Sequence, residues 1–352
     1  MLTPFVCLLL LQAPAVPVTW HDIRQLGVEG RGWSETKQPF DRLPARAEGV
    51  VRSPVWSLAQ DSAGLSVRFS TDAATIRARW SLRKAALALP HMPATGVSGL
   101  DLYVRHQGRW RWLANGRPEK QSNQQALIEG WTGGRRDYLL YLPLYNGVNS
   151  VEIGVPAGAV IERGAPWPPG VRPVVFYGTS ILQGGCASRP GMAYPSILAR
   201  MLDRPAINLG FSGNALSEPE VAGLLAELNP AAYVLDSLPN LSLEQVRQRV
   251  EPFIGKLRQA HPATPIVLVE NVIYTNSDLV EARRRNWPEK NAALRAIFLK
   301  LKKAGDRKLF YVPATHLLGD DGEGTVDSTH PTDLGFLRMA ETIAPVLRRA
   351  LK

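Results

Sequence analysis

Ser180, Asp327 and His330 have the residue types and the setting needed to activate a hydroxyl group. Ser180 follows a short apolar run, Val174 to Tyr177, through Gly178-Thr179, and His330 lies near the end of the chain in Asp327-Ser328-Thr329-His330-Pro331. A serine hydroxyl is a weak nucleophile until a base takes its proton as it attacks. An imidazole can be that base and then return the proton to a leaving alkoxide. Asp327 stands three residues before His330, so both side chains can share one face of a turn. There a carboxylate fixes the imidazole tautomer and stabilises the imidazolium that forms. Such a set can carry acyl transfer through an acyl-serine intermediate and needs no cofactor.

These residues must be brought together by the elements around them. Val174 to Tyr177, Ala206 to Leu209, Tyr233 to Leu235, Ile266 to Val269 and Leu309 to Val312 are short, continuously apolar runs. Runs of that kind suit parallel strands buried on both faces. Between them lie segments with helical spacing, among them Glu218 to Leu228 and Leu243 to Ala260, and Asp333 is placed to cap the last helix. The alternation predicts a doubly wound α/β domain with a parallel five-stranded sheet over residues 174–352. Ligands of open parallel sheets bind beyond the carboxyl ends of the strands. Gly178-Thr179-Ser180 follows the first run, Gly210-Phe211-Ser212-Gly213-Asn214 the second, and Asp236-Ser237-Leu238-Pro239-Asn240 the third. The loop carrying Asp327 and His330 follows the fifth.

In this order the blocks resemble an SGNH hydrolase of the GDSL superfamily, whose signature places Ser, Gly, Asn and Asp-x-x-His along the chain. The resemblance implies a flavodoxin-like hydrolase fold and an oxyanion hole made from the backbone N–H of Ser180, that of Gly213 and the side-chain amide of Asn240. The departures are Thr179 in place of the usual Asp, and Leu-Pro-Asn without the usual Gly before Asn240. Leu182 stands where a nucleophile elbow would need its second Gly, which argues against an α/β-hydrolase.

The first half reads differently. Leu65, Val67 and Phe69, then Ile76, Ala78, Trp80 and Leu82, then Leu100, Leu102 and Val104, and finally Val151, Ile153 and Val155 alternate as half-buried strands do. Asn115-Gly116 and Asn146-Gly147 carry the turn chemistry of tight hairpins. Residues 20–156 are therefore expected to form an antiparallel β-sandwich. Gly99-Leu100-Asp101-Leu102-Tyr103 is similar to the Gly-x-Asp-Leu-Tyr signature of a domain that precedes certain SGNH esterases, which implies a jelly-roll-like sandwich. Residues 157–173, rich in proline and glycine, read as a semi-rigid linker.

Bulk properties narrow the function classes. The chain has 352 residues, 45% hydrophobic and 20% charged, as a globular protein of two domains has. Its net charge of +10 comes from basic residues scattered along the chain. The densest run, Arg283-Arg284-Arg285, falls on an expected helix, so no nucleic-acid partner is expected. Phe5 to Leu11 followed by Ala13-Pro14-Ala15 reads as a signal peptide over residues 1–15, which implies a secreted or periplasmic protein. No later run is long enough for a membrane span.

Cys7 and Cys186 are the only cysteines; cleavage after Ala15 would leave Cys186 alone, and it reads as a packed thiol. No histidine pair has metal-ligand spacing on a common helix, so no metal is expected. The acidic group Asp320, Asp321 and Glu323 fits no calcium loop. His91, in a loop before the Gly-x-Asp-Leu-Tyr strand, either reaches the site across the two halves or is structural. Trp110 and Trp112 share a strand face that suits either sugar stacking or a half-buried sandwich surface. An esterase built this way most resembles enzymes that deacetylate carbohydrates, with an acetylated saccharide as substrate. The alternatives are a lipase or thioesterase with the same triad, or a catalytically spent carbohydrate-binding protein. Oligomeric state is not encoded in any of these features.

Overall fold

The computed structural model describes residues 17–352; the signal peptide expected over residues 1–15 lies outside the described residues. The first half folds into two antiparallel sheets. One has four strands in the spatial order Val18–Asp22, Val148–Pro156, Ile76–Leu82 and Ser122–Ile128. The other is built on Ser66–Thr71, Arg136–Tyr141, Leu100–His106 and Arg109–Gly116. Its outer edge is made by Val28–Glu29 and Ile161–Arg163, which both pair with Ser66–Thr71. Alternation along each strand sends one set of side chains inward. Leu65, Val67, Phe69, Ile76, Ala78, Trp80, Leu82, Leu100, Leu102, Val104, Val151, Ile153 and Val155 all sit in one buried core between the sheets.

The second half is the expected parallel sheet. Its strands Val174–Gly178, Ala206–Gly210, Ala232–Asp236, Ile266–Val269 and Leu309–Val312 run in the order second, first, third, fourth, fifth. That is the flavodoxin-like winding, with a switch point beside the first strand. Helices Pro219–Ala226, Leu243–Ala260 and Asn286–Lys303 cover one face, and Tyr194–Leu202 and Asp333–Ala350 the other. Ser242 starts the Leu243–Ala260 helix with a full capping box to Gln245.

Three local expectations differ from the structure. The hairpin joining Leu100–His106 to Arg109–Gly116 turns at Gln107-Gly108, with φ of 49° and 74°, as a two-residue primed turn requires. Asn115-Gly116 instead ends the returning strand. Asn146 is buried and works through its side chain, which accepts from the Lys84 amide at 2.9 Å and donates to Ser98 Oγ at 3.1 Å. The last helix is capped by Thr332, whose hydroxyl accepts from the Gly335 amide. Asp333 is its first residue, and its carboxylate binds the backbone and hydroxyl of Ser188.

Residues 157–173, expected as a semi-rigid linker, make contacts with the first half. Ile161–Arg163 completes a sheet, and the Arg68 guanidinium lies 4.1 Å from the Trp167 ring. Other segments of the first half pack on the parallel sheet. Leu43, Ala47, Val51, Val55, Trp56 and Ala59 pack into the core under one face of the parallel sheet. Met92, Val97 and Leu144 pack into the core of the other.

Polar side chains bind the halves together as well. Within Leu100–His106 the residues alternate between two tasks: Leu100, Leu102 and Val104 enter the sandwich core, while Asp101 and Tyr103 face the hydrolase half. Asp101 accepts from Arg189 Nη1 and from the Gly191 amide, both at 2.8 Å, and from Trp112 Nε1 at 2.8 Å. Tyr103 meets the same arginine at 2.5 Å. Arg42 is 1% exposed and donates to four carbonyl oxygens, those of Leu58, Asp61, Asn208 and Gly210. Burial draws its pKa down to about 10, against the pull of Asp61.

Two predictions follow from these buried groups. Arg42→Met removes the donor shared by four buried carbonyls and should lower unfolding free energy by about 3–5 kcal/mol, read by chemical denaturation. Asp236 at the end of the third strand is 1% exposed. Burial lifts its pKa from 3.8 to about 7, partly offset by a 2.9 Å bond from the Tyr194 hydroxyl. Between those values the unfolded chain releases this proton and the folded chain keeps it, so this group's contribution to stability falls as pH rises through that window. Asp236→Asn keeps an acceptor for Tyr194 and removes the titration. Its melting temperature relative to wild type should therefore be higher at pH 8 than at pH 4, and an equal difference at both would refute the assignment.

Candidate active site

The first strand delivers Ser180. Gly178 ends it, Thr179 is the N-cap, and Ser180 opens the one-turn helix Ser180–Gln183. This helix must lie almost on the neighbouring strand end, because a Cβ on Gly210 would stand 2.2 Å from the Gln183 nitrogen. Only glycine permits that approach. Thr179, where the family pattern has Asp, is buried with its hydroxyl unpaired among the described residues.

The fifth strand leads through a long loop to the other two residues. Asp327 Oδ1 accepts from the backbone N–H of Thr329 at 3.1 Å and of His330 at 2.7 Å. This folds the loop into a tight turn in which Ser328 takes φ of 72°. The loop is pinned on both sides: the Thr275 amide donates to the Ser328 carbonyl, and the Val326 amide to that of His330.

The turn sets the geometry of the ring. Asp327 Oδ2 lies 2.7 Å from His330 Nδ1, and His330 Nε2 lies 2.8 Å from Ser180 Oγ. Residues 150 positions apart in the chain meet within hydrogen-bond distance. Burial pushes the Asp327 carboxyl upward, but the His330 amide and ring and the Thr329 amide outweigh it, so its pKa lies below the ordinary carboxylate value. An ionised carboxylate therefore faces Nδ1, as the orienting role requires. Asp333, the other acid near His330 in sequence, is committed to Ser188 instead.

The second and third strand ends bring up Gly213 and Asn240. Gly213 sits in a turn closed by the Asn214 amide on the Phe211 carbonyl and has φ of 66°. Space is open where its Cβ would be, so the backbone conformation rather than crowding selects glycine here. The preceding Ser212 amide donates to Gln183 Oε1 at 2.9 Å, which ties this loop to the Ser180 helix. Asn240 ends the single turn Leu238–Asn240 and donates through Nδ2 to the Asn214 carbonyl at 2.6 Å. An amide nitrogen carries two hydrogens, so one stays available for a ligand.

Several neighbours of the site carry little or no local sequence signal. Lys290, on the Asn286–Lys303 helix, is 4% exposed and donates to the carbonyls of Leu238 and Pro239 at 3.2 and 3.3 Å. It fastens the turn that presents Asn240, and burial draws its pKa down to about 8. The sandwich half also reaches the site. The Tyr145 hydroxyl donates to the Ser180 carbonyl at 3.2 Å, and the His91 ring centroid lies 5.6 Å from that of His330. Of the two readings left open for His91, the structure places it beside the site.

Cys186 also stands near His330, although no histidine neighbour was evident in the sequence. Its thiol is no rival nucleophile: burial and the Asp327 charge push its pKa up to about 12. Trp112 is half exposed, with its N–H committed to Asp101, and Trp110 packs with Tyr103, Leu139 and Tyr141. Asp321 is bound by Arg338 through two 2.8 Å contacts and held down at about 2.

Both halves of the chain match patterns of known families. The pattern of the GDSL-like lipase/acylhydrolase family matches residues 171–348, and that of the GxDLY domain, the N-terminus of SGNH-hydrolase-type esterases, matches residues 18–161. No curated protein sequence matches the chain. A crystal structure described as a GDSL-like lipase from Bacteroides ovatus shares 36% identity and a TM-score of 0.90, over 95% of this chain and 98% of that one. Two more distant structures share the fold. A salicylyl-acyltransferase from a tetracycline biosynthetic pathway has 18% identity and a TM-score of 0.73, over 96% of this chain and 98% of its own. A family two carbohydrate esterase from Cellvibrio japonicus has 14% identity and a TM-score of 0.61, over 95% and 98%. With a matching pattern on each half and a relative that aligns over nearly its whole length, the chain belongs to the GDSL-like lipase/acylhydrolase family, as an SGNH-type hydrolase carrying a GxDLY N-terminal domain.

Proposed function

We propose that this protein is an exported carbohydrate acetylesterase that works through an acyl-Ser180 intermediate. The observation that carries the reading is the unbroken relay from Asp327 Oδ2 through the His330 ring to Ser180 Oγ, with links of 2.7 and 2.8 Å. His330 Nε2 accepts the hydroxyl proton as Ser180 attacks the ester carbonyl, and Asp327 stabilises the imidazolium. The new oxyanion is met by the backbone N–H of Ser180, that of Gly213 and the free hydrogen of Asn240 Nδ2. Collapse of the intermediate passes the proton from Nε2 to the leaving alkoxide. Water then gives its proton to Nε2, attacks the acyl-enzyme and releases the acid with Ser180 restored.

The saccharide part of the proposal draws on the carbohydrate esterases that share the two-part fold, and export draws on the apolar N-terminal segment. No described helix is long and apolar enough to cross a membrane. The intact relay speaks against a spent binding protein. A lipase or thioesterase would use the same relay with a longer acyl group.

Three measurements test the reading. With a chromogenic acetyl ester, Ser180→Ala should abolish turnover, and Asp327→Asn should lower kcat by about 10⁴, the size seen when a triad carboxylate is neutralised. Equal rates for wild type and Ser180→Ala would sink the proposal. Asn240→Ala should lower kcat by about 10²–10³ with little change in KM, as removal of a transition-state donor does. Acetyl esters should be cleaved faster than esters of long acyl chains, and acetylated polysaccharides should release acetate; the reverse preference would make the enzyme a lipase.

A further inference from the structure

Three side chains that could bind a metal converge beside the relay from three separate parts of the chain. Cys186 Sγ and one nitrogen each of His91 and His330 all lie within 4.8 Å of one another. No spacing rule could reveal this set, because His91 belongs to the sandwich half, Cys186 follows the Ser180 helix and His330 comes from the last loop. Thiolate with imidazole is the donor set that borderline metals such as zinc prefer, whereas magnesium and calcium take oxygen ligands.

We propose that His91, Cys186 and His330 form an inhibitory site for a zinc-like divalent cation. A three-ligand tetrahedral zinc site places its ligand atoms about 3.3–3.6 Å apart, given Zn–N near 2.0–2.1 Å and Zn–S near 2.3 Å. Closing on an ion therefore asks for about 1 Å of approach. His91 can supply it, since it is exposed and sits in the turn closed by the Leu89–Met92 bridge. Cys186 is fixed: it is 5% exposed and held at φ of 75°.

The consequence for chemistry follows from His330 having no spare nitrogen. Nε2 faces Ser180 and Nδ1 faces Asp327, so an ion on either one breaks the relay. Binding replaces the S–H bond of Cys186 with a sulfur–metal bond and releases the proton to solvent. The fourth position is left to water or to the Ser180 hydroxyl.

The inhibitory part rests on the esterase reading; the binding part does not, and the experiment separates them. Calorimetric titration of the full chain with zinc sulfate should show one ion bound per chain, with no uptake of magnesium or calcium. His91→Ala and Cys186→Ser should each weaken zinc binding at least about tenfold, in line with the cost of disturbing a metal's ligand shell. Both variants should hydrolyse the acetyl ester at the wild-type rate without zinc. Zinc should inhibit the wild type, a chelator should restore it, and each variant should need at least about tenfold more zinc for the same inhibition. His91 lies on an exposed turn, so its variant reports even if the buried Cys186→Ser change impairs folding. Absence of a one-to-one complex, or zinc binding unchanged in His91→Ala, would overturn the proposal. Zinc binding in a protein that cleaves no ester would retain the site and discard the esterase.

Discussion

The contact on which most else depends is the buried carboxylate of Asp101, where the two halves are joined. It is 0% exposed and binds the indole of Trp112 in its own sheet, and Arg189 and the Gly191 amide in the hydrolase half. A buried charge is tolerable only when it is paired and hydrogen-bonded. Here the pairing is possible only if the halves dock in one register, because breaking it would strand a charge away from water. Arg42 applies the same constraint from the opposite direction, carrying a buried cation onto the Asn208 and Gly210 carbonyls at the end of the second strand.

This docking explains why the sandwich is more than an appendage. Its segment around residues 43–59 covers one face of the parallel sheet, and Met92, Val97 and Leu144 help fill the other. Tyr145 holds the carbonyl of Ser180, and His91 approaches the ring of His330. The residues that border the relay thus come from both halves, and motions between the halves would be felt at the site.

The relay itself is built on rigid supports. The Ser180 helix is pressed against the second strand where Gly210 leaves room, the Gly213 loop is held to it through Gln183, and the Asn240 turn is fastened by Lys290. His330 is fixed by a carboxylate that also binds its backbone. In the proposed reaction, preorganisation of this kind would let the donors stabilise developing charge without reorganising.

Much of this is legible in the sequence. Alternating and continuous apolar runs distinguished the sandwich from the parallel sheet, since burial on one face or two leaves different periodicities. The convergence of Ser180, Asp327 and His330 is legible because strand ends of a parallel sheet share one edge, so order along the chain carries position in space; the roles proposed for Gly213 and Asn240 come from the family resemblance. Asp327 stands three residues from His330, so the geometry of that pair is local.

What could not be read is whatever depends on contact between distant segments. Asn115-Gly116 has hairpin chemistry, but both residues pair with Asp101 and Leu100 inside the strand Arg109–Gly116, because register is set by which face is buried and not by the best turn residues. Asp333 was expected to cap a helix and instead binds Ser188, while Thr332 takes the cap. Arg42, Lys290 and Cys186 look ordinary in the sequence. Their roles arise from the desolvation and the neighbours that the folded chain imposes, and a linear pattern encodes neither.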